Sequence, residues 1–128
     1  MVAARRRRGQ PVRPRSRPAE IPRTLLRVDI TVTDHADAER YEITADGELA
    51  GFTQYRRRPQ LIAFVHTEVD PRFEGQGLGS KLVAAELDAA RAAGVAVLPF
   101  CPFVNAYINR HPEYADLVPE AFRAKFGL

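Results

Sequence analysis

A chain of 128 residues with 45% apolar side chains is sized for one domain with its own core. No apolar run approaches the roughly 18 residues of a membrane-spanning helix, so no membrane association is expected. One cysteine, Cys101, excludes an internal disulfide framework and fits a reducing, cytoplasmic setting.

The net charge of +3 is unevenly spread. Residues 1–20 hold seven arginines and one glutamate, a balance of +6, which leaves −3 for residues 21–128. Residues 1–22 also contain four prolines and almost no large apolar side chains. That composition predicts a disordered Arg/Pro-rich tail ahead of a single domain over residues 23–128. The tail lacks the roughly 7–15 residue apolar stretch of a secretory signal, and Pro11, Pro14 and Pro18 break the amphipathic helix of a mitochondrial presequence. It reads as a plain extension, an address, or a nucleic-acid contact that follows phosphate backbones. The nucleic-acid reading is the weaker one, because no aromatic residue interrupts the arginines to stack on bases.

Leu25 to Thr33 alternates apolar and polar and predicts a first strand. A turn at Asp34 to Asp37 leads into a second strand, Arg40 to Ala45, with Tyr41 and Ile43 on one face. Asp46-Gly47 is a hairpin signal, and Glu48 to Tyr55 is the third strand. The run Arg56 to Pro59 closes a second hairpin as a solvated tip. The fourth strand is Leu61 to Val69. Strict alternation puts Ile62, Phe64, His66 and Glu68 on one face and Leu61, Ala63, Val65, Thr67 and Val69 on the other.

Asp70 to Gln76 is a connector, and Gly77 to Ala93 has helical apolar spacing. Leu78, Leu82, Ala85 and Ala89 form one stripe, with Val83, Leu87 and Ala90 beside it. Gly94 stands where a helix end favours a left-handed residue. The unpaired N–H groups of a helix's first turn attract anions, and glycines at 75, 77 and 79 let a phosphate approach the backbone. Neither common nucleotide signature fits. There is no G-x-x-x-x-G-K-S/T, and the Gly75-x-Gly77-x-Gly79 register places the third glycine one residue early for G-x-G-x-x-G. Val95 to Phe100 then predicts a fifth strand parallel to the fourth. A short helix opened by Pro102 follows, and Pro119 to Leu128 predicts a last amphipathic helix with Phe122 and Phe126 on one side.

His66 and Glu68 are two ionisable groups at the end of an otherwise apolar strand, just before the glycine connector. A base there suits proton removal from an ammonium, and an interstrand hydrogen bond is the plain alternative. Cys101 precedes a helix N-terminus, which stabilises a thiolate. It reads as a covalent acyl carrier, as a pocket-lining residue, or as a small core residue. His35 reads as a loop residue and His111 as a helix terminator. No His or Cys pair stands at zinc spacing, so no metal is expected.

Glu74-Gly75-Gln76-Gly77-Leu78-Gly79, after an apolar strand and the Val69-Asp70-Pro71 step, resembles the acetyl-CoA pyrophosphate loop of the GNAT superfamily of N-acetyltransferases, written Q/R-x-x-G-x-G/A. Glu74 departs from that pattern at its first position. The H-T-E-V, C-P-F and H-P-E-Y strings extend the resemblance from Val28 to Val118 and make it similar to the small single-domain GNAT subfamily. The resemblance implies an α/β (α+β) fold, with a mixed, mostly antiparallel sheet of about five strands, flanking helices and a strand–glycine loop–helix site for acetyl-CoA. It implies acetyl transfer from acetyl-CoA to an amine, either a small molecule or a protein lysine or N-terminus.

Cofactor contacts carry over to Val69, Glu74, Gly75, Gln76, Gly77, Leu78 and Gly79. Asn105 would bond the pantetheine amides, or equally cap its helix. His66 or Glu68 would be the base. Tyr107, the best positional match to a tyrosine that protonates the departing thiolate, or Cys101, would assist at sulfur. The H-P-E-Y ending replaces the Y-x-x-x-G-F ending usual in larger members. The alternative to an enzyme is a CoA-binding module with little catalysis, acting as a sensor or partner subunit.

Overall fold

The computed structural model describes residues 28–128. The expected tail over residues 1–22, and the start of the first predicted strand at Leu25, lie outside the described residues. Five strands form one sheet: β1 (Ile30–His35), β2 (Arg40–Ala45), β3 (Glu48–Arg58), β4 (Leu61–Val69) and β5 (Ala96–Pro99). Their order in space is their order in the chain. The first three pairings are antiparallel and β4–β5 is parallel, which gives the mixed, mostly antiparallel sheet expected. The helices are α1 (Leu78–Ala93), α2 (Pro102–Arg110) and α3 (Glu120–Arg123), with 3-10 turns between and after them.

Local chemistry sets the turns. Asp46 and Gly47 both adopt positive φ, 50° and 83°, the backbone of a tight hairpin whose twist suits its strands. The Asp46 carboxylate accepts from the Asp29 N–H at 2.9 Å and stitches β1 to this turn. Arg56 to Arg58 are not a loop tip. They extend β3, pairing with Leu61 to Ala63, and the turn shrinks to Pro59 and Gln60. Gly94 ends α1 at φ 69°, its N–H returning to the last-turn carbonyls of Ala90 and Arg91. The C-terminal helix is shorter than expected: α3 is one turn, and only Phe126 of the Phe122/Phe126 pair is buried. Phe126 meets Phe100 edge-on at 5.3 Å between ring centres.

α1 lies across β2 to β5, and α2 packs beside α1 and against β4 and β5. Ile43, Phe64, Leu82, Val83, Leu87, Val97 and Ile108 fill the layer between sheet and helices. The other face of the sheet carries Arg40, Glu42, Phe52, Gln54, His66 and Glu68 in cross-strand rows. Nothing among the described residues covers it.

Candidate functional site

The chain leaves β4 at Val69 and enters a 3-10 turn capped by Asp70, whose carboxylate accepts from the Arg72 N–H at 2.9 Å. The Arg72 guanidinium also grips that carboxylate, at 3.1 Å, and holds it below the usual aspartate range. Gly75 and Gly77 follow with φ of 84° and 74°, and a Cβ on either would point into open space. α1 then starts at Leu78. Its first helical bond runs from the Lys81 N–H to the Gly77 carbonyl, and no side chain caps it. The N–H groups of Leu78, Gly79 and Ser80 are therefore the unpaired donors of the first turn.

These donors border a cleft of about 250 Å³ walled by Val69, Phe73, Glu74, Gly75, Gly77, Leu78, Gly79, Ser80 and Phe103. Gly79 has a different role from its neighbours. A Cβ there would stand 2.7 Å from Phe103 Cζ and 3.3 Å from Val69 Cγ2, so its hydrogen admits the Phe103 ring to the cleft wall. Gln76 and Asn105 do not line the cleft. Asn105 instead accepts from the Asn109 side chain, at 3.0 Å through its carbonyl. The cleft lining holds no basic side chain, and Glu74 sits in its wall. Attraction for an anion therefore rests on backbone donors and the helix end. That donor set, with open space over Gly75 and Gly77, fits a pyrophosphate.

β4 does not keep strict alternation. Gln54 pairs with His66 and Tyr55 with Phe64, so Val65 is an extra residue opposite β3. The bulge reverses the faces beyond it. Ile62 and Phe64 are buried under the helices, Thr67 and Val69 continue that face, and His66 and Glu68 turn to the open one. This corrects the expected grouping of Ile62 and Phe64 with His66 and Glu68.

His66 Nε2 lies 2.9 Å from Glu68 Oε2, and both side chains are more than half exposed. Glu68 and Asp70 line a second cleft of about 230 Å³, with Leu49, Ala50, Gly51, Phe52, Val69 and Pro71. Val69 borders both clefts. Pairing between β4 and β5 stops at Phe64 and Pro99, and the Cys101 N–H makes the last link to the Phe64 carbonyl at 2.8 Å. Residues 65–69 therefore have a strand neighbour on the β3 side only.

Cys101 is buried at the start of α2, and its thiol donates to Thr67 Oγ1 at 3.2 Å. Thr67 Oγ1 is 3.1 Å from Thr53 Oγ1. Tyr107 lies elsewhere. Its ring stacks on His111 at 4.1 Å and meets Tyr114 at 6.0 Å, and Tyr114 donates to Asp88. Asp88 is ten residues into α1, about 15 Å along the helix from its N-terminus. Burial first, then the charge of Glu113, raises the Tyr107 pKa. The fold thus puts Cys101 under the helices, His66 and Glu68 on the open face, and Tyr107 beside the second half of α1. The sequence reading missed Thr53, Thr67 and Glu86, the last a fully buried carboxyl on α1. A signal for Glu86 existed: it stands four residues from both Leu82 and Ala90, inside an apolar stripe.

A five-stranded, mostly antiparallel sheet with its helices against one face, opened at a strand–glycine loop–helix unit, is the fold of the GNAT superfamily. The chain belongs to the family described as GCN5-related N-acetyl-transferase, whose model matches residues 40–117. Among solved structures, a GCN5-like protein from Staphylococcus aureus shares the fold at 24% identity and a TM-score of 0.52, over 70% of this chain and 86% of that one. Ard1 from Thermoplasma volcanium matches at 24% identity and TM-score 0.42, over 50% of this chain and 44% of its own. A GCN5-related N-acetyltransferase from Sphaerobacter thermophilus matches at 23% and 0.43, over 58% and 28%. The chain thus spans less than half the length of these last two. No curated protein matches the sequence.

Proposed function

We propose that this chain is an N-acetyltransferase that moves an acetyl group from acetyl-CoA to an amine, a small molecule or a protein lysine or N-terminus. The reading rests on one observation: two clefts of different chemistry share the Val69 wall at the end of β4. The cleft at the α1 N-terminus offers backbone donors from Leu78 to Ser80 and suits the pyrophosphate, with Gly75 and Gly77 leaving it room. The one-sided edge of residues 65–69 suits the pantetheine amides and the thioester carbonyl. The second cleft carries carboxylates and an apolar floor, which suits a cationic amine on a carbon stem. Acetyl-CoA supplies an activated acyl group, and transfer exchanges its C–S bond for a C–N bond. Glu68, paired with His66, takes the proton that the ammonium must lose. Cys101 faces the splayed edge and is the nearer candidate at sulfur; Tyr107 is the farther one.

Calorimetric titration with acetyl-CoA and desulfo-CoA, followed by an amine screen, tests the reading. Binding of both with turnover of at least one amine supports it, and no binding at millimolar cofactor overturns it. A second reading, a CoA-binding module with little catalysis, is favoured by the exposure of His66 and Glu68 on an uncovered sheet face. Tight binding with no acetylated amine, and no mass gain on the protein, would select it.

A further inference from the structure

The cleft beside Glu68 has a charge pattern that narrows what it can take. Glu68 and Asp70 are its ionisable lining residues, and no basic side chain among the described residues joins them. The rest of the wall is apolar, with Leu49, Phe52, Val69 and Pro71 around Ala50 and Gly51. The two acids differ in what already answers their charge. Asp70 accepts from the Arg72 N–H at 2.9 Å and from the Arg72 guanidinium at 3.1 Å, contacts that hold its carboxyl below the usual aspartate range. Glu68 is paired with His66, at 2.9 Å. Two guanidiniums stand outside the cleft, and both are engaged. Arg72 reaches Glu48 at 3.6 Å as well as Asp70. Arg40 donates to Glu42 at 2.8 Å and lies 4.2 Å over the Phe52 ring. Phe52 and Glu68 are directly paired across β3 and β4, so their side chains leave the sheet side by side on its uncovered face. Leu49, 42% exposed, extends the apolar surface at the rim. The volume, about 230 Å³, is below the roughly 300–1,000 Å³ of pockets that hold drug-sized ligands. It suits an ammonium on a stem of side-chain size.

We propose that the acceptor is a small primary amine on an apolar or aromatic stem that carries no acid group. This rests on the transferase reading and sharpens it. An ammonium drawn to Glu68 lays its stem over Phe52 and Leu49, which an alkyl or aryl group covers without losing hydrogen bonds. A free amino acid brings a carboxylate on the carbon next to the amine. That charge stands against Glu68, and no cation in the cleft wall answers it. Glu68 is more than half exposed, so solvent screens the repulsion and leaves it worth about tenfold in preference. The decarboxylated amine offers the same stem without that penalty. The chemistry is otherwise as above. The amine nitrogen bonds the acetyl carbon and the C–S bond breaks. One ammonium proton goes to Glu68 and a second to the CoA sulfur.

Matched pairs read this discrimination. Phenethylamine against phenylalanine, and isoamylamine against leucine, differ only in the carboxylate. At about pH 8, where carboxylates are ionised and alkylamines still charged, kcat/KM should favour the amine of each pair by about tenfold or more. Leu49→Arg places a cation on the exposed rim and should cut that preference by about tenfold, with acetyl-CoA titration checking that the variant folds. Equal kcat/KM within the pairs, or a preference for the amino acids, would overturn the proposal and leave the transferase reading standing. So would a preference that Leu49→Arg leaves unchanged, or an acetyl-capped lysine peptide used better than phenethylamine, which moves the acceptor to a protein. Should Leu49→Arg fail to fold, the wild-type pairs decide alone. Should no amine be acetylated, or acetyl-CoA not bind, the amide chemical shifts of Gly51, Phe52 and Val69 decide without cofactor. Shifts moved by phenethylamine and not by phenylalanine support the proposal, and shifts moved by neither or by both alike overturn it.

Discussion

A carboxyl buried without hydrogen bonds destabilises the fold once it ionises, and Glu86 gives that effect a sign. Its pKa rises from an ordinary 4.5 to about 8 in the fold, chiefly through desolvation. Between those values the unfolded chain has released the proton and the folded chain has not. Stability from this group is therefore full below 4.5, falls by about 1.4 kcal/mol per pH unit as pH rises toward 8, and is flat above. Urea unfolding at pH 5 and pH 8 should show this fall in the wild type and a smaller one in Glu86→Gln. Glu86→Leu should be more stable than wild type at pH 8, an unusual outcome for a core substitution. Two glycines make a contrasting pair. A Cβ on Gly51 would sit 2.6 Å from the Glu68 carbonyl oxygen and 3.3 Å from Val69 Cα, both backbone. Gly51→Ala should cost about 2 kcal/mol or more, because a strand must shift. Gly79→Ala meets the tip of the half-exposed Phe103 ring, which can swing away. It should cost less than about 1 kcal/mol in stability and weaken acetyl-CoA binding more visibly. Gly75, Gly77 and Gly79 stand out in the sequence because glycine spacing is itself a signal. Glu86 did not, because charge on a helix normally predicts a solvated face.

Among the elements, the clearest success and the clearest failure of sequence reading fall on the same strand. β4 spans Leu61–Val69, the bounds that composition predicts. Its faces differ from prediction because alternation says nothing of a bulge, and the extra residue at Val65 is fixed by pairing with β3. The same limit applies to Arg56 to Arg58, read as a tip and found in β3. Three consecutive charges can continue a strand when one edge is paired, here with β4, and the side chains stay in solvent. The parallel β4–β5 pair and α1 were legible because their signals are local: a glycine at each helix end and an apolar run on each side. The bulge also separates two kinds of lesion. Glu68→Gln, on the open face, should lower turnover at least tenfold and leave acetyl-CoA affinity within about twofold. Gly77→Val, at the positive-φ start of α1, should do the reverse, weakening affinity at least tenfold. Steady-state kinetics paired with calorimetry separates the two.

Among the described residues, helices shield one face of a single sheet and leave the other uncovered, two layers where many α/β domains have three. The mild negative charge of residues 21–128 belongs to this domain, and the basicity to residues outside the described structure. The sheet's arrangement bears on how quickly the chain finds its shape. Each strand's neighbour in space is its neighbour in sequence, so β1 to β4 can zip as successive hairpins with little loop-closure entropy to overcome. Only β5 must wait, since it docks beside β4 after α1 has crossed the sheet. Stopped-flow refolding should be fast for a β-rich chain, on the order of milliseconds. Substitutions in the β2–β3 hairpin should slow folding, and those in β5 or α2 should chiefly speed unfolding. The cofactor cleft, framed by the end of β4, the start of α1 and Phe103 of α2, would then be among the last parts of the molecule to form.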